Sequence, residues 1–159
     1  GHNIDPKVIE DALGAHPAVA LCAAVGAPDA YAGELPVAFA TLKPEIHVTE
    51  AELLAFTAER VDEGPAKPKS ITVLSAMPVT NVGKIYKPEL RTLAAGAVVQ
   101  ALVDQVMGPL PLAPTQWPQV HAMGDAPVEI DARATPLVAW APLKALLSAL
   151  PVQIHCQEP

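Results

Sequence analysis

Two apolar runs, Val19 to Val25 and Leu35 to Leu42, lie close together in the first third of the chain and constrain what can form around them. Each has strand length and neither carries helical punctuation. The segment between them, Pro28 to Glu34, is too short for the crossover that a parallel pair requires, so the runs are expected to pair antiparallel. Gly26-Ala27-Pro28-Asp29 reads as the break that ends the first run, and Pro44 closes the second. Only 4% of the residues are aromatic although 51% are hydrophobic, so the core must be built from Ala, Val, Leu and Ile.

Helical signals flank this pair. Asp5 is placed to cap a helix whose first position suits Pro6, where a missing N–H costs nothing. Ile9, Ala12 and Leu13 mark one face, and Gly14 is expected to supply a left-handed stop. Thr49-Glu50-Ala51-Glu52 is a capping box in which hydroxyl and carboxylate satisfy each other's backbone donors. It opens an amphipathic helix carrying Leu53, Leu54, Phe56 and Val61 to about Asp62, ended by Gly64-Pro65. Ser70 to Leu74 is rich in β-branched residues and reads as a third strand. Pro78 to Lys84 reads as a loop, and Pro88 opens a helix expected to run to Gly108. These elements predict an α+β fold in which a small mixed or antiparallel sheet of about three strands is flanked by helices, within residues 1–108.

The texture then changes. Pro109, Pro111, Pro114 and Pro118 mark a proline-rich connector over 109–119. Residues 120–159 read as an accessory α/β extension, with strands at Val128 to Ala132 and Val152 to His155 and a short helix over Pro142 to Leu150. The residues leave it open whether this extension is a βαβ-like unit or an oligomerisation surface.

Charge and motif content exclude several functions. A formal net charge of −7 disfavours sequence-independent nucleic-acid binding, which needs a basic face to displace counterions. No apolar run approaches the ~20 residues of a membrane span, and no secretory leader opens the sequence, so the expected location is the cytoplasm. Cys22 and Cys156 form no CxxC pair and read as reduced, buried thiols. His2, His16, His47, His121 and His155 show no metal-binding spacing, and no Gly-x-Ser-x-Gly elbow is present.

The segment richest in chemistry is Pro78-Val79-Thr80-Asn81-Val82-Gly83-Lys84-Ile85-Tyr86-Lys87-Pro88-Glu89-Leu90-Arg91. A lysine directly after a glycine, on a loop between strand and helix, is placed to project into a neighbouring cleft. A phosphate-binding P-loop fails twice: Pro78 stands where its first glycine should be, and Ile85 replaces Ser/Thr. Lys67 and Lys69, flanking Pro68, make a local anion site or a solvated lysine pair. Tyr31 is either a loop-packing residue or part of a binding surface.

The spacing Pro-x-Thr-x-x-Gly-Lys-Ile-x-Lys-x-x-Leu-Arg resembles the C-terminal lysine motif of the adenylate-forming enzymes, among them the AMP-forming acyl-CoA synthetases. Gly1-His2-Asn3-Ile4-Asp5-Pro6 with Ile9-Glu10 is similar to the segment that follows the hinge in that family. His16-Pro17-Ala18-Val19, Val25-Gly26-Ala27-Pro28-Asp29 and Gly33-Glu34-Leu35-Pro36-Val37-Ala38-Phe39 resemble the family's intervening sequences. The likeness covers residues 1 to about 93. It implies the mobile C-terminal domain of an acyl-CoA ligase, with ATP, Mg and CoA as substrates or cofactor of the full enzyme and none bound by this part alone. It implies that Lys84 serves acyl-adenylate formation, supported by Thr80 and Gly83. Gly1, His2 and Asn3 would approach the pantetheine arm of CoA, Tyr31 would lie near its channel, and Lys67 and Lys69 would meet the CoA phosphates. The implied partners are the enzyme's own N-terminal adenylation domain and CoA. That domain carries the phosphate loop and the acid pocket, so this part is expected to be inactive alone. Two other readings remain: transfer to a carrier-protein pantetheine, and a non-catalytic interaction module docking through 109–159.

Overall fold

The computed structural model describes residues 4–62 and 64–159. The expected antiparallel pair is the centre of the first layer. Strand β1 (Val19–Asp29) pairs with β2 (Gly33–Leu42) with Val25 opposite Val37 and Asp29 opposite Gly33. β1 thus runs through Gly26–Asp29, the segment expected to break it. It is an edge strand, where Pro28 can lack its N–H without breaking a central ladder. Strand β3 (Ile71–Val73) joins the other side of β2 in parallel, with Ile71 opposite Ala38.

Side-chain alternation across this sheet gives it two apolar faces. One carries Ala24, Ala38, Ala40 and Ile71 and is covered by α1 (Pro6–Gly14) and α2 (Glu50–Arg60) through Ile9, Leu13 and Leu53. The other carries Ala23, Val25, Val37 and Phe39 and is covered by α3 (Lys87–Met107) through Leu90 and Ala94. The small residues of the strands let the helices approach closely, which is how a core almost without aromatic rings is filled.

The caps behave as their chemistry requires. The Asp5 carboxylate accepts from the Lys7 N–H at 2.9 Å, with Pro6 in the first turn of α1. Thr49 Oγ1 accepts from the Glu52 N–H at 3.2 Å, while the Glu52 carboxylate accepts from the Thr49 N–H at 2.8 Å. Gly14 differs from expectation. It lies inside α1, the helix is capped by Ala15 in the right-handed region, and among the described residues the positive-φ glycines are Gly33, Gly83 and Gly124.

The extension forms a second sheet from β4 (Gln119–His121), β5 (Val128–Asp131) and β6 (Ile154–Gln157) in that order. β4 pairs antiparallel with β5, and β5 pairs parallel with β6 across helix α4 (Leu137–Ser148), a βαβ connection. Strand β4 has no clear sequence signal. Helix α4 begins five residues before the expected Pro142, which lies inside it. The hydrogen bond lost there would have involved the carbonyl of Val138, an exposed residue whose carbonyl water can serve. Cys156 is exposed and Cys22 half-buried, correcting the expectation of two buried thiols. Burial pushes the Cys22 thiol up, and partial desolvation with the nearby Glu158 carboxylate raises the exposed Cys156 thiol, so both stay protonated and poorly nucleophilic.

The two sheets share α3. Its later turns present Ala95, Val99, Val103 and Met107 to Val128, Ile130, Trp140 and Leu143 of the extension. Gly96 lets this contact close, because a Cβ there would lie 2.5 Å from the Cβ of Ala122. Gly96→Val should therefore overpack the junction and cost about 2 kcal/mol, a fall in Tm of roughly 5 °C for a chain of this length, measured by thermal unfolding.

Candidate functional site

Lys84 sits on a small hairpin between β3 and α3. Val79 bridges Ile85 across its base, the Thr80 N–H donates to the Lys84 carbonyl at 2.7 Å, and the Gly83 N–H donates to the Thr80 carbonyl at 2.8 Å. Gly83 has φ 79°, the left-handed position that ends this turn and that a side chain would strain. The Thr80 hydroxyl accepts from the Lys84 N–H at 3.2 Å. Thr80 and Gly83 thus hold the backbone of Lys84 from both sides. Asn81, Val82, Gly83 and Lys84 are all exposed, so the hairpin presents Lys84 outward.

The hairpin leads directly into α3, whose first turn is anchored to the opposite side of the sheet. The Lys87 ammonium donates to the Glu10 carboxylate of α1 at 2.6 Å, and the same Glu10 oxygen accepts from the Ala24 N–H of β1 at 2.9 Å. This one carboxylate joins α1, β1 and α3. Beside it a cleft of about 330 Å³ opens between the start of α1 and the start of α3, with Ile4, Gly26, Glu34, Lys87 and Arg91 in its walls. On the other side of the hairpin, the Tyr86 hydroxyl donates to Asp125 at 2.6 Å. That bond stabilises the phenol and holds its pKa above the ordinary value. Sequence patterns gave no signal for either tie, because each joins residues far apart in the chain.

The remaining expected residues fall on other loops. Tyr31 lies fully exposed at the tip of the β1–β2 turn, where the Asp29 carboxylate accepts from the N–H groups of Tyr31 and Ala32. Lys67 is half-buried and Lys69 exposed on the approach to β3, with the Lys69 N–H donating to the Pro36 carbonyl at 2.8 Å. Lys67, Lys69 and Tyr31 therefore share the end of the sheet where β2 and β3 begin. Gly1, His2 and Asn3 lie outside the described residues, although Ile4, next to them, packs against the core of α1 and α2. His16 has a structural role, its ring edge-on to Phe56 at 4.6 Å and its Nδ1 accepting from the Ala18 N–H.

Among the described residues, no group of three or more His, Cys, Asp or Glu is arranged to hold a metal ion. No helix among them is long and apolar enough to cross a membrane.

Residues 8–84 match the model of the family described as the AMP-binding enzyme C-terminal domain. A marinolic acid–CoA ligase from Pseudoalteromonas sp. is 45% identical over 91 residues, which are 57% of this chain and 14% of that protein. An acetyl-coenzyme A synthetase from Pyrobaculum arsenaticum is 42% identical over 100 residues, covering 61% of this chain and 15% of that protein. The crystal structure of ATP-bound MatB from Rhodopseudomonas palustris superposes with a TM-score of 0.56 at 27% identity, over 60% of this chain and 19% of that one. Residues 8–84 thus belong to the AMP-binding enzyme C-terminal domain family. The chain spans only about a seventh of the length of the two ligases it matches.

The hairpin geometry makes a local prediction. Gly83→Ala should destabilise the fold by about 1–2 kcal/mol, the cost of a side chain in the left-handed region. Gly64→Ala, at a glycine outside the left-handed region with no neighbour near its Cβ, should be neutral or stabilising by up to ~1 kcal/mol. Denaturant unfolding of the two variants checks the contrast.

Proposed function

We propose that this chain is the mobile C-terminal domain of an AMP-forming acyl-CoA ligase and that Lys84 serves its first half-reaction. The observation that carries the reading is Lys84 itself, held outward by a Thr80–Gly83 hairpin inside a lysine motif at the family's spacing. The names of the similar ligases support acid activation followed by transfer to CoA.

In the first step a carboxylate oxygen attacks the α-phosphorus of ATP. The new acyl–phosphate bond forms as the bond to pyrophosphate breaks, giving acyl-AMP and pyrophosphate. Negative charge concentrates on phosphoryl oxygens as this happens, and an ammonium brought into a dry cleft stabilises it far more than it would in water. In the second step the CoA thiol loses its proton and attacks the acyl carbon, forming the thioester and releasing AMP. Magnesium accompanies the ATP as substrate.

The domain would present different faces in the two steps, the Lys84 hairpin in one and the Gly1–Asn3 segment in the other. Glycine at the first of these positions would let the thin pantetheine arm pass close to the backbone. Lys67 and Lys69 would meet the phosphates of CoA, and Tyr31, at the same end of the sheet, would flank the arm. The adenylation domain would supply the nucleotide and acid sites, so this domain alone would be inactive.

Lys84→Ala in the full-length protein should lower acid-dependent pyrophosphate exchange by at least about a hundredfold, comparable to removing one preorganised transition-state donor. Conversion of supplied acyl-adenylate and CoA should survive. Equal loss of both steps in a folded protein would contradict the division of labour. Lys67→Ala/Lys69→Ala should raise the KM for CoA without changing kcat. An unchanged KM for CoA, with activity toward a pantetheine-bearing carrier protein, would favour the carrier as acceptor. Absence of any ligase activity would leave an interaction module.

A further inference from the structure

The extension reaches back to the lysine hairpin. The turn between β4 and β5 places Asp125 at 2.6 Å from the Tyr86 hydroxyl, two residues from Lys84. The next residue, Ala126, offers its carbonyl to the hydroxyl of Thr92 on α3 at 3.1 Å. Ala122, at the other end of the same turn, sits where Gly96 of α3 leaves room for it. Three contacts from one short turn therefore clamp the N-terminal half of α3 and the hairpin that precedes it. The base of that hairpin is closed by the Tyr86 N–H, which donates to the Pro78 carbonyl at 2.8 Å. Tyr86 thus holds the hairpin with its backbone and the extension with its side chain.

From this geometry we infer that the β4–β5 turn is a brace for the Lys84 hairpin, with Asp125 acting as a positioning residue through Tyr86. The extension then has a part in the chemistry without touching substrate. Its sheet is fixed to the later turns of α3 by a buried apolar core, so the turn that carries Asp125 has a rigid support. A charge-assisted hydrogen bond to a phenol fixes the ring, and the ring fixes the strand end that carries Lys84. The benefit is entropic: a lysine whose backbone is already placed loses less freedom when it meets the reacting phosphate. The catalytic consequence rests on the proposed role of Lys84, whereas the mechanical one does not.

The test separates the two. In the 159-residue chain, amide hydrogen exchange is measured by NMR for wild type, Tyr86→Phe, Asp125→Ala and the double variant. Each single change should speed exchange at Thr80, Gly83 and Tyr86 by about 3- to 10-fold, the range expected for losing one hydrogen bond of this kind. The double variant should be no faster than either single one, and amides of β1 and β2 should be unaffected. Unchanged hairpin exchange, or effects that multiply in the double variant, would overturn the brace. In the full-length protein the same variants should lower the kcat of the adenylation step by a similar factor, leave the KM for ATP unchanged, and spare the thioester step. Equal losses in both steps, or none, would overturn the positioning role. Lys84→Ala measured alongside identifies which idea fails. If it abolishes adenylation while the brace variants leave the kcat of that step unchanged, only the brace's catalytic role falls. If it spares adenylation, the role of Lys84 falls and takes that catalytic role with it.

Discussion

The burial of α3 on two different surfaces is the interaction on which the rest of this structure depends. Leu90 and Ala94 close one face of the first sheet, while Val99, Val103 and Met107 fill the core of the extension. Each fully buried Leu or Val contributes on the order of 2 kcal/mol, so a helix with apolar residues on both sides ties two small cores into one. Neither sheet has enough strands to make a large core of its own. The residues Ala95, Val99, Val103 and Met107 recur at intervals of four, one ridge along the helix that the extension packs against. The start of the same helix carries the lysine hairpin, so the position of that hairpin follows from how α3 is held.

Polar contacts then decide how precisely it is held. Glu10 accepts from Lys87 and from the Ala24 N–H, and Asp125 accepts from Tyr86, one on each side of the hairpin's exit. Neither group is deeply buried, so each is worth less than a core leucine in stability. Their effect is directional. They select one orientation of the first turn of α3 from those that packing alone would allow. The loops offered for CoA, around Tyr31 and around Lys67 and Lys69, depend instead on the β1–β2 pair and its approach to β3.

Much of the first layer was legible because its signals are local. Two apolar runs joined by a short turn can pair in only one sense, and the capping box at Thr49 and Glu52 announced α2 to within a residue. The candidate lysine was legible for the same reason, since Thr80, Gly83 and Lys84 lie within one turn shaped by the Thr80 hydroxyl and the backbone freedom of Gly83. The misreadings came where tertiary pairing overrode local punctuation. Gly26 and Pro28 look like a strand end but are held extended by Pro36 and Glu34 opposite them. Pro142 looks like a helix start but is tolerated inside α4 because packing of Trp140, Leu143 and Leu147 maintains the helix around it.

The sequence by itself determined most element types of residues 4–107, the loop that carries Lys84 and the family likeness, because each is written in residues within a few positions of one another. It did not determine that the proline-rich tail builds a second sheet on the far turns of α3. That outcome depends on Ala95, Val99 and Met107 finding Ile130 and Leu143, contacts between distant segments that no local pattern encodes. The pairings of Glu10 with Lys87 and of Tyr86 with Asp125 were likewise decided only in three dimensions. A hydrogen bond needs its partners within about 3 Å, and only the folded chain brings residues so far apart in sequence that close.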